Sequence, residues 1–367
     1  MNLHIFNPEH DIALAANKRR FTPPHAARQL RADLGFLPAL WAEDGDMVLV
    51  DDVEAACESV RHIKKYVSEV RFVGGDDLGK IDFSMVPNLA IKPWGWDLAL
   101  KDRLIRLNKS LECVVPSDDT ISKCRDISNR HYAAQHLLLR LHDKYSRVVG
   151  ESSYCQTLDE ALATMHRYGQ SVLKSPWSSS GRGVRYVLTD SADASLVGWM
   201  RNVLCQQGGI MVEPMYAKVQ DFAVEFFVHG DGRVDYCGLS LFDTRGGAYS
   251  GSVCATENDK REMLAKYVDM ALLDDVCRDI QTMLAEVLPG IYEGPLGIDM
   301  MAVAGRDVGF WLHPCVELNL RRTMGHVALA LTPSISEPHR LMNIYYTDKY
   351  RLRIRNTTDN LLNTGMV

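Results

Sequence analysis

Short apolar runs alternating with stretches of helical periodicity fill the first third of the chain. Leu3 to Phe6, Met47 to Val50, Val70 to Val73 and Leu89 to Ile91 read as strands, and Val53 to Tyr66 and Trp96 to Asn108 as helices. That alternation predicts a small open α/β domain with a parallel sheet. From Ser171 onward the pattern changes to longer strands in hairpin order. Ser171–Lys174 pairs with Val184–Leu188, and Gly209–Tyr216 leaves through Pro214. Gln220–Val228 is a long strand, Val234–Leu241 another, and Leu296–Val303 turns at Gly305-Arg306-Asp307 into Phe310–Asn319. Between them a helix carrying Arg201 stops at Gln206-Gln207-Gly208-Gly209, a glycine C-cap. Asp259–Leu288 is amphipathic and helical, and Phe242–Gly251 reads as a long glycine-rich loop.

Two of these strands carry isolated polar groups. Alternate side chains of a strand share a face, so in Val316-Glu317-Leu318-Asn319 the carboxylate and the amide point together while Val316 and Leu318 enter a core. Arg321, Arg322 and Thr323 follow at the strand end. Asp299 is the one charge in the apolar run Leu296–Val303. Counting back from the turn brings it near Glu317 and Asn319. Hard oxygen ligands suit Mg²⁺, and buried acids need a partner. A blander reading makes Asp299 a turn cap and pairs Glu317 with Arg322.

Upstream, Lys174 ends a strand and enters Ser175-Pro176-Trp177-Ser178-Ser179-Ser180-Gly181-Arg182-Gly183. A lysine followed by hydroxyls and exposed backbone N–H groups can hold a polyphosphate. The loop is not a Walker A, since no Gly-Lys-Ser/Thr closes it and a strand follows instead of a helix. Glu213, in the exit segment, can accept from an adenine amino group, and Asp221, at the start of a strand, can hold ribose hydroxyls.

The order Lys174, serine-glycine flap, Glu213, Asp221, Asp299, then Glu317-x-Asn319-x-Arg321-x-Thr323 resembles the ATP-grasp superfamily of carboxylate–amine ligases, over roughly Ser128 to Thr332. The resemblance implies an N-terminal open α/β (pre-ATP-grasp) domain over 1–127. A central subdomain over 128–207, a C-terminal subdomain over 208–332 and a tail over 333–367 would follow. It implies that ATP binds through Arg130, Lys174, Ser179, Ser180, Gly181, Gly183, Glu213 and Asp221. Mg²⁺, with Mn²⁺ a possible substitute, would bind through Asp299, Glu317 and Asn319. Lys174, Arg182, Arg245, Arg321 and Arg322 would be catalytic, with Tyr249 a further candidate beside Arg245. The expected activity is a ligase that activates a carboxylate as an acyl phosphate for attack by an amine, with amino-acid or peptide substrates. The alternatives are an ATP-grasp phosphotransferase or carboxylase, or a non-catalytic nucleotide-binding regulator. The chain departs from the pattern twice. Arg130 stands where many relatives carry a phosphate-binding lysine, unless Lys123 fills that role, and Gly297 stands where many carry an arginine. Arg321 or Arg322 would supply the latter charge.

Composition narrows the setting. At 367 residues the chain can build two or three cores. A net charge of −6 without a basic stripe argues against nucleic acid as the main partner. No run approaches the roughly 20 apolar residues of a membrane span, and the N-terminus has no signal-peptide pattern. Nine cysteines without close pairs read as reduced thiols of a cytosolic protein. Asn7–Asp11 and Lys92–Asp97 follow strands, where open α/β sheets place binding loops, and are candidate walls of an acceptor pocket for small molecules. Asp11 and Asp97 could equally be helix caps.

Overall fold

The computed structural model describes residues 1–83, 86, 88–178, 183–245, 248–305 and 309–357. The chain divides into two compact units: Met1–Cys124 with Ser250–Thr256 and Arg321–Val367, and Arg125–Tyr249 with Glu257–Leu320.

In the first unit β1 (Asn2–Ile5), β2 (Met47–Leu49), β3 (Arg71–Val73) and β4 (Ala90–Pro93) form a parallel sheet in the order β3-β2-β1-β4. Leu3, Ile5, Met47, Leu49, Val73 and Ile91 pack there with Leu78, Leu100, Leu104 and Leu111 in one core. The helix over Val53–Arg61 is capped by Asp52, which accepts from the Ala55 N–H, and Leu98–Leu107 is capped by Asp97, which accepts from Leu100. Asp97 is therefore a cap. Asp11 is not, because the helix begins one residue earlier at His10 and runs to Ala16.

In the second unit β5 (Ser153–Cys155), β6 (Ser171–Lys174), β7 (Val184–Val187) and β8 (Ile210–Pro214) form an antiparallel sheet in the order β5-β8-β6-β7. It is backed by helices over Leu158–Tyr168 and Ala194–Gln207, and the latter ends on Gly208 at φ 78°. Leu173, Val187, Ile210 and Val212 face Ala161, Met165, Met200 and Val203 in a second core. Longer strands β9 (Lys218–Val228), β10 (Val234–Arg245), β12 (Gly294–Ala304) and β13 (Phe310–Asn319) pair antiparallel in the order β13-β12-β9-β10. Between β10 and β12 the chain also forms β11 (Ala248–Cys254).

Two expectations change. Phe242–Gly251 is not a long loop: β10 continues to Arg245 and β11 starts at Ala248. Phe, Thr, Tyr and Ser in that stretch favour extended backbone, and the glycine pair alone was too little to mark a long loop. The Asp259–Leu288 helix is two helices, Glu257–Leu264 and Met270–Val287, because Asp269 caps a new N-terminus through the Ala271 and Leu272 N–H groups. The segment after Pro333 also has structure of its own. β14 (Arg340–Tyr346) and β15 (Tyr350–Asn356) form an antiparallel hairpin, and β14 pairs with Ser252–Cys254 of β11.

Candidate nucleotide and metal site

The register of β12 and β13 puts Asp299 directly opposite Glu317, with Gly297 opposite Asn319. On the other side of β12, Asp299 faces Ala223, Gly297 faces Glu225 and Met301 faces Asp221. Directly paired residues share a sheet face. One face of the second unit therefore carries Asp221, Glu225, Asp299, Glu317 and Asn319, and Gly297 places no side chain between Glu225 and Asn319. Two carboxylates opposite each other repel unless a cation lies near. One such cation is Arg130, whose guanidinium donates to Glu317 Oε1 at 2.6 Å. Glu317 thus pairs with Arg130 and not with Arg322, as the blander reading had it. Beyond Asp299 the register slips around Pro314, which has no N–H to give to the ladder.

Arg130 also ties this face to the serine-glycine flap. It is almost fully buried, and its guanidinium donates to the Ser175 carbonyl at 2.6 Å and to Ser178 Oγ at 2.9 Å. The flap is pinned at its base where Ser175 N–H donates to the Gly183 carbonyl at 2.8 Å. Trp177 adds a second anchor: its indole N–H donates to the Arg125 carbonyl, and the Arg125 guanidinium lies 3.7 Å from the ring centroid. Gly183 is required by packing, since a Cβ there would sit 2.4 Å from Ser178 Cβ. Ser179, Ser180, Gly181 and Arg182 lie outside the described residues.

Lys174 and Glu213 are brought together by β6 and β8. Val172 pairs with Glu213 and Lys174 with Met211, which makes Lys174 and Glu213 diagonal neighbours on one face. Lys174 Nζ lies 2.6 Å from Glu213 Oε2, both side chains are nearly buried, and Ser152 Oγ donates to the other Glu213 oxygen at 3.1 Å. Cys315 shows that this pair and the acidic face share one environment. Burial first, then the charge of Asp299 and more weakly those of Glu213 and Glu317, with Lys174 opposing, together push its thiol up to about 12. His313, also fully buried, is pushed down to about 3 by desolvation and then by Lys174. Asp221 lies two residues before Ala223 on the same face, held by Lys218 Nζ and by the Thr244 hydroxyl at 3.3 Å.

The remaining candidates have other surroundings. Arg321 forms a two-pronged ion pair with Asp11, at 2.8 Å on each oxygen. The Arg322 guanidinium lies 4.4 Å from the Trp41 ring centroid, and the Arg322 backbone N–H donates to the Trp94 carbonyl. Thr323 caps the helix over Met324–Ala330 in a reciprocal bond with His326. Arg245 ends β10, and its side chain lies outside the described residues, while Tyr249 belongs to β11. Sequence reading missed Glu225, Trp177 and Cys315. Only Glu225 left a signal, as a carboxylate at alternate spacing from Asp221 inside an apolar strand.

No protein-family model matches the sequence, and no curated protein does. Solved structures do match. The N5-carboxyaminoimidazole synthetase of Staphylococcus aureus, complexed with ADP, aligns with a TM-score of 0.52 at 8% identity, over 98% of this chain and 94% of that one. The chain has the ATP-grasp fold. Biotin carboxylase of Campylobacter jejuni in a β,γ-ATP complex aligns with a TM-score of 0.50 at 13% identity, over 94% of this chain and 75% of that one. The biotin carboxylase domain of Hydrogenobacter thermophilus 2-oxoglutarate carboxylase, with MgADP and bicarbonate, gives 0.50 at 13%, over 94% and 74%. Among the described residues no three or more His, Cys, Asp and Glu cluster as a metal site. The expected metal set has two carboxylates and an amide, and its oxygens are of the hard type that Mg²⁺ takes. Among the described residues no helix is long and apolar enough to cross a membrane.

Proposed function

We propose that the protein is an ATP- and Mg²⁺-dependent ligase that activates a carboxylate as an acyl phosphate for attack by an amine, with an amino acid or peptide among its substrates. The direct pairing of Asp299 with Glu317, on a face shared with Asn319, carries this reading. These three would hold Mg²⁺, which when bound neutralises the triphosphate tail. Glu213 and Asp221 would take the adenine and the ribose. Lys174, now paired to Glu213, would turn part of its charge to a phosphate oxygen, and Arg130 would do the same from Glu317. Phosphoryl transfer asks mostly for positioning and charge neutralisation, and these two cations supply both. Closure of the Ser178–Gly183 flap would keep water from the acyl phosphate.

The test is product analysis. Purified protein with ATP, Mg²⁺ and amino-acid pools should release ADP and phosphate in step with amide formation. Release of AMP and pyrophosphate refutes the acyl-phosphate route. A second reading makes bicarbonate the acid, so that the product is a carbamate. It draws on the carboxylating enzymes among the matched folds. Bicarbonate-dependent ADP release without any amino acid would favour it.

A further inference from the structure

The first unit contains a cavity of about 360 Å³ lined by five arginines: Arg19, Arg20, Arg31, Arg103 and Arg106. Its wall also includes Asn7, Glu9 and Asp97, from the two loops read as candidate pocket walls, with Ala13, Phe21, Pro23 and Leu100 as the apolar part. Such a volume suits a small metabolite.

The acidic groups of the wall are already committed. Asp97 accepts from the Leu100 N–H at 2.8 Å and from Asn7 at 3.3 Å, and Glu9 is paired to Arg31. Behind the wall one carboxylate serves two cations, twice. Asp51 accepts from Arg31 Nε at 2.9 Å and from Arg103 at 2.8 Å, while Asp118 holds both Arg19 and Lys101. Each guanidinium has five N–H donors and spends only one or two of them on these partners. Arg31 and Arg103 are thus fixed side by side with donors to spare. Arg103 is held below its ordinary value by burial and then by the like charge of Arg31, with Asp51 and Glu9 opposing. Arg20 stands exposed at the wall without an acidic partner among the described residues.

We infer that this cavity binds a small molecule bearing two or more anionic groups, carboxylate or phosphate, joined by a short apolar body. Paired guanidiniums recognise either anion through two parallel hydrogen bonds, and the Phe21–Pro23 side covers the body. The inference holds whether or not the second unit is a ligase site.

Calorimetry on the full chain tests it, with glutarate and propane-1,3-diol bisphosphate as probes, with and without MgADP present. We expect one probe to bind at sub-millimolar concentration, about equally in both conditions, with affinity falling as salt rises. Arg20→Gln and Arg103→Lys should each weaken that binding about tenfold, and both variants should keep the melting temperature and the MgADP affinity of the parent. Arg103→Lys keeps the charge beside Asp51, so loss of binding there reports the lost fork and not a lost fold. Preference for glutarate identifies the carboxylate class and preference for the phosphate ester the other. Failure of both probes to bind, or binding that neither substitution changes, overturns the inference. Absence of MgADP binding alone would count against the nucleotide site and leave this one standing.

Discussion

Lys174 and Glu213 form a nearly buried pair, and such pairs punish the loss of one partner more than the loss of both. Lys174→Met should cost about 3 kcal/mol or more in urea unfolding, because Glu213 is left charged and unpaired. Adding Glu213→Leu should recover most of that stability. ADP release should stay abolished in both variants if Lys174 serves the phosphates, and its return in the double variant would reduce the pair to a structural role. Glu317→Gln is a different experiment, since Arg130 keeps an oxygen acceptor at 317 while the charge is lost. Turnover should fall by about 10²-fold or more, with the Mg²⁺ concentration for half-maximal rate rising. An unchanged Mg²⁺ dependence would remove Glu317 from the metal set.

The flap depends on one close approach. A Cβ at Gly183 meets Ser178, so Gly183→Ala must displace the hairpin at the point where Arg130 holds it. A shift of about 1 Å can cost on the order of 10²-fold in rate. Gly183→Ala should therefore lower ADP release strongly while the melting temperature hardly moves, and Ser178→Gly in the same chain should restore part of the rate. Equal loss of rate and stability would mean the clash spreads into the β6–β8 core. At this scale the hairpin of β6 and β7 and the pairing of β12 with β13 were legible in the sequence, because strand alternation and short turns are local signals. The continuation of β10 through Arg245 was not, because a glycine-rich composition outweighed the extended preference of Phe242, Thr244 and Tyr249 in a reading by pattern. The helices over His10–Ala16 and His25–Leu34 escaped for a related reason: one is short and neither has a side-chain cap.

Across the molecule, several buried groups make stability depend on acid in a defined sense. His313 is pushed down to about 3 and His4 is also lowered, both chiefly by desolvation, so the unfolded chain binds more protons below about pH 6.5. Stability should therefore fall as pH drops from 7, by up to about 1.4 kcal/mol per pH unit for each histidine. Asp46, held down to about 2 by hydrogen bonds from Asn2, His4 and Glu43 against the cost of burial, adds a further loss only below about pH 4. Urea midpoints at pH 7, 6 and 5 should show the first slope, and His313→Phe should flatten it. A flat profile in the parent would mean that His313 is protonated in the fold, with Lys174 too far away to matter.

What the linear chain determined is most of the strands on either side of the candidate site, their polar exceptions and the spacing that makes Glu317 and Asn319 face together. Those follow from backbone periodicity, which needs no knowledge of distant partners. Tertiary structure alone decided which cation each acid meets. Arg130 reaches Glu317 across 187 positions of sequence, Arg321 goes to Asp11, and five arginines from separate segments gather round one cavity. Charge pairing acts over a few ångströms, and only the folded path of the chain sets which charges come that close.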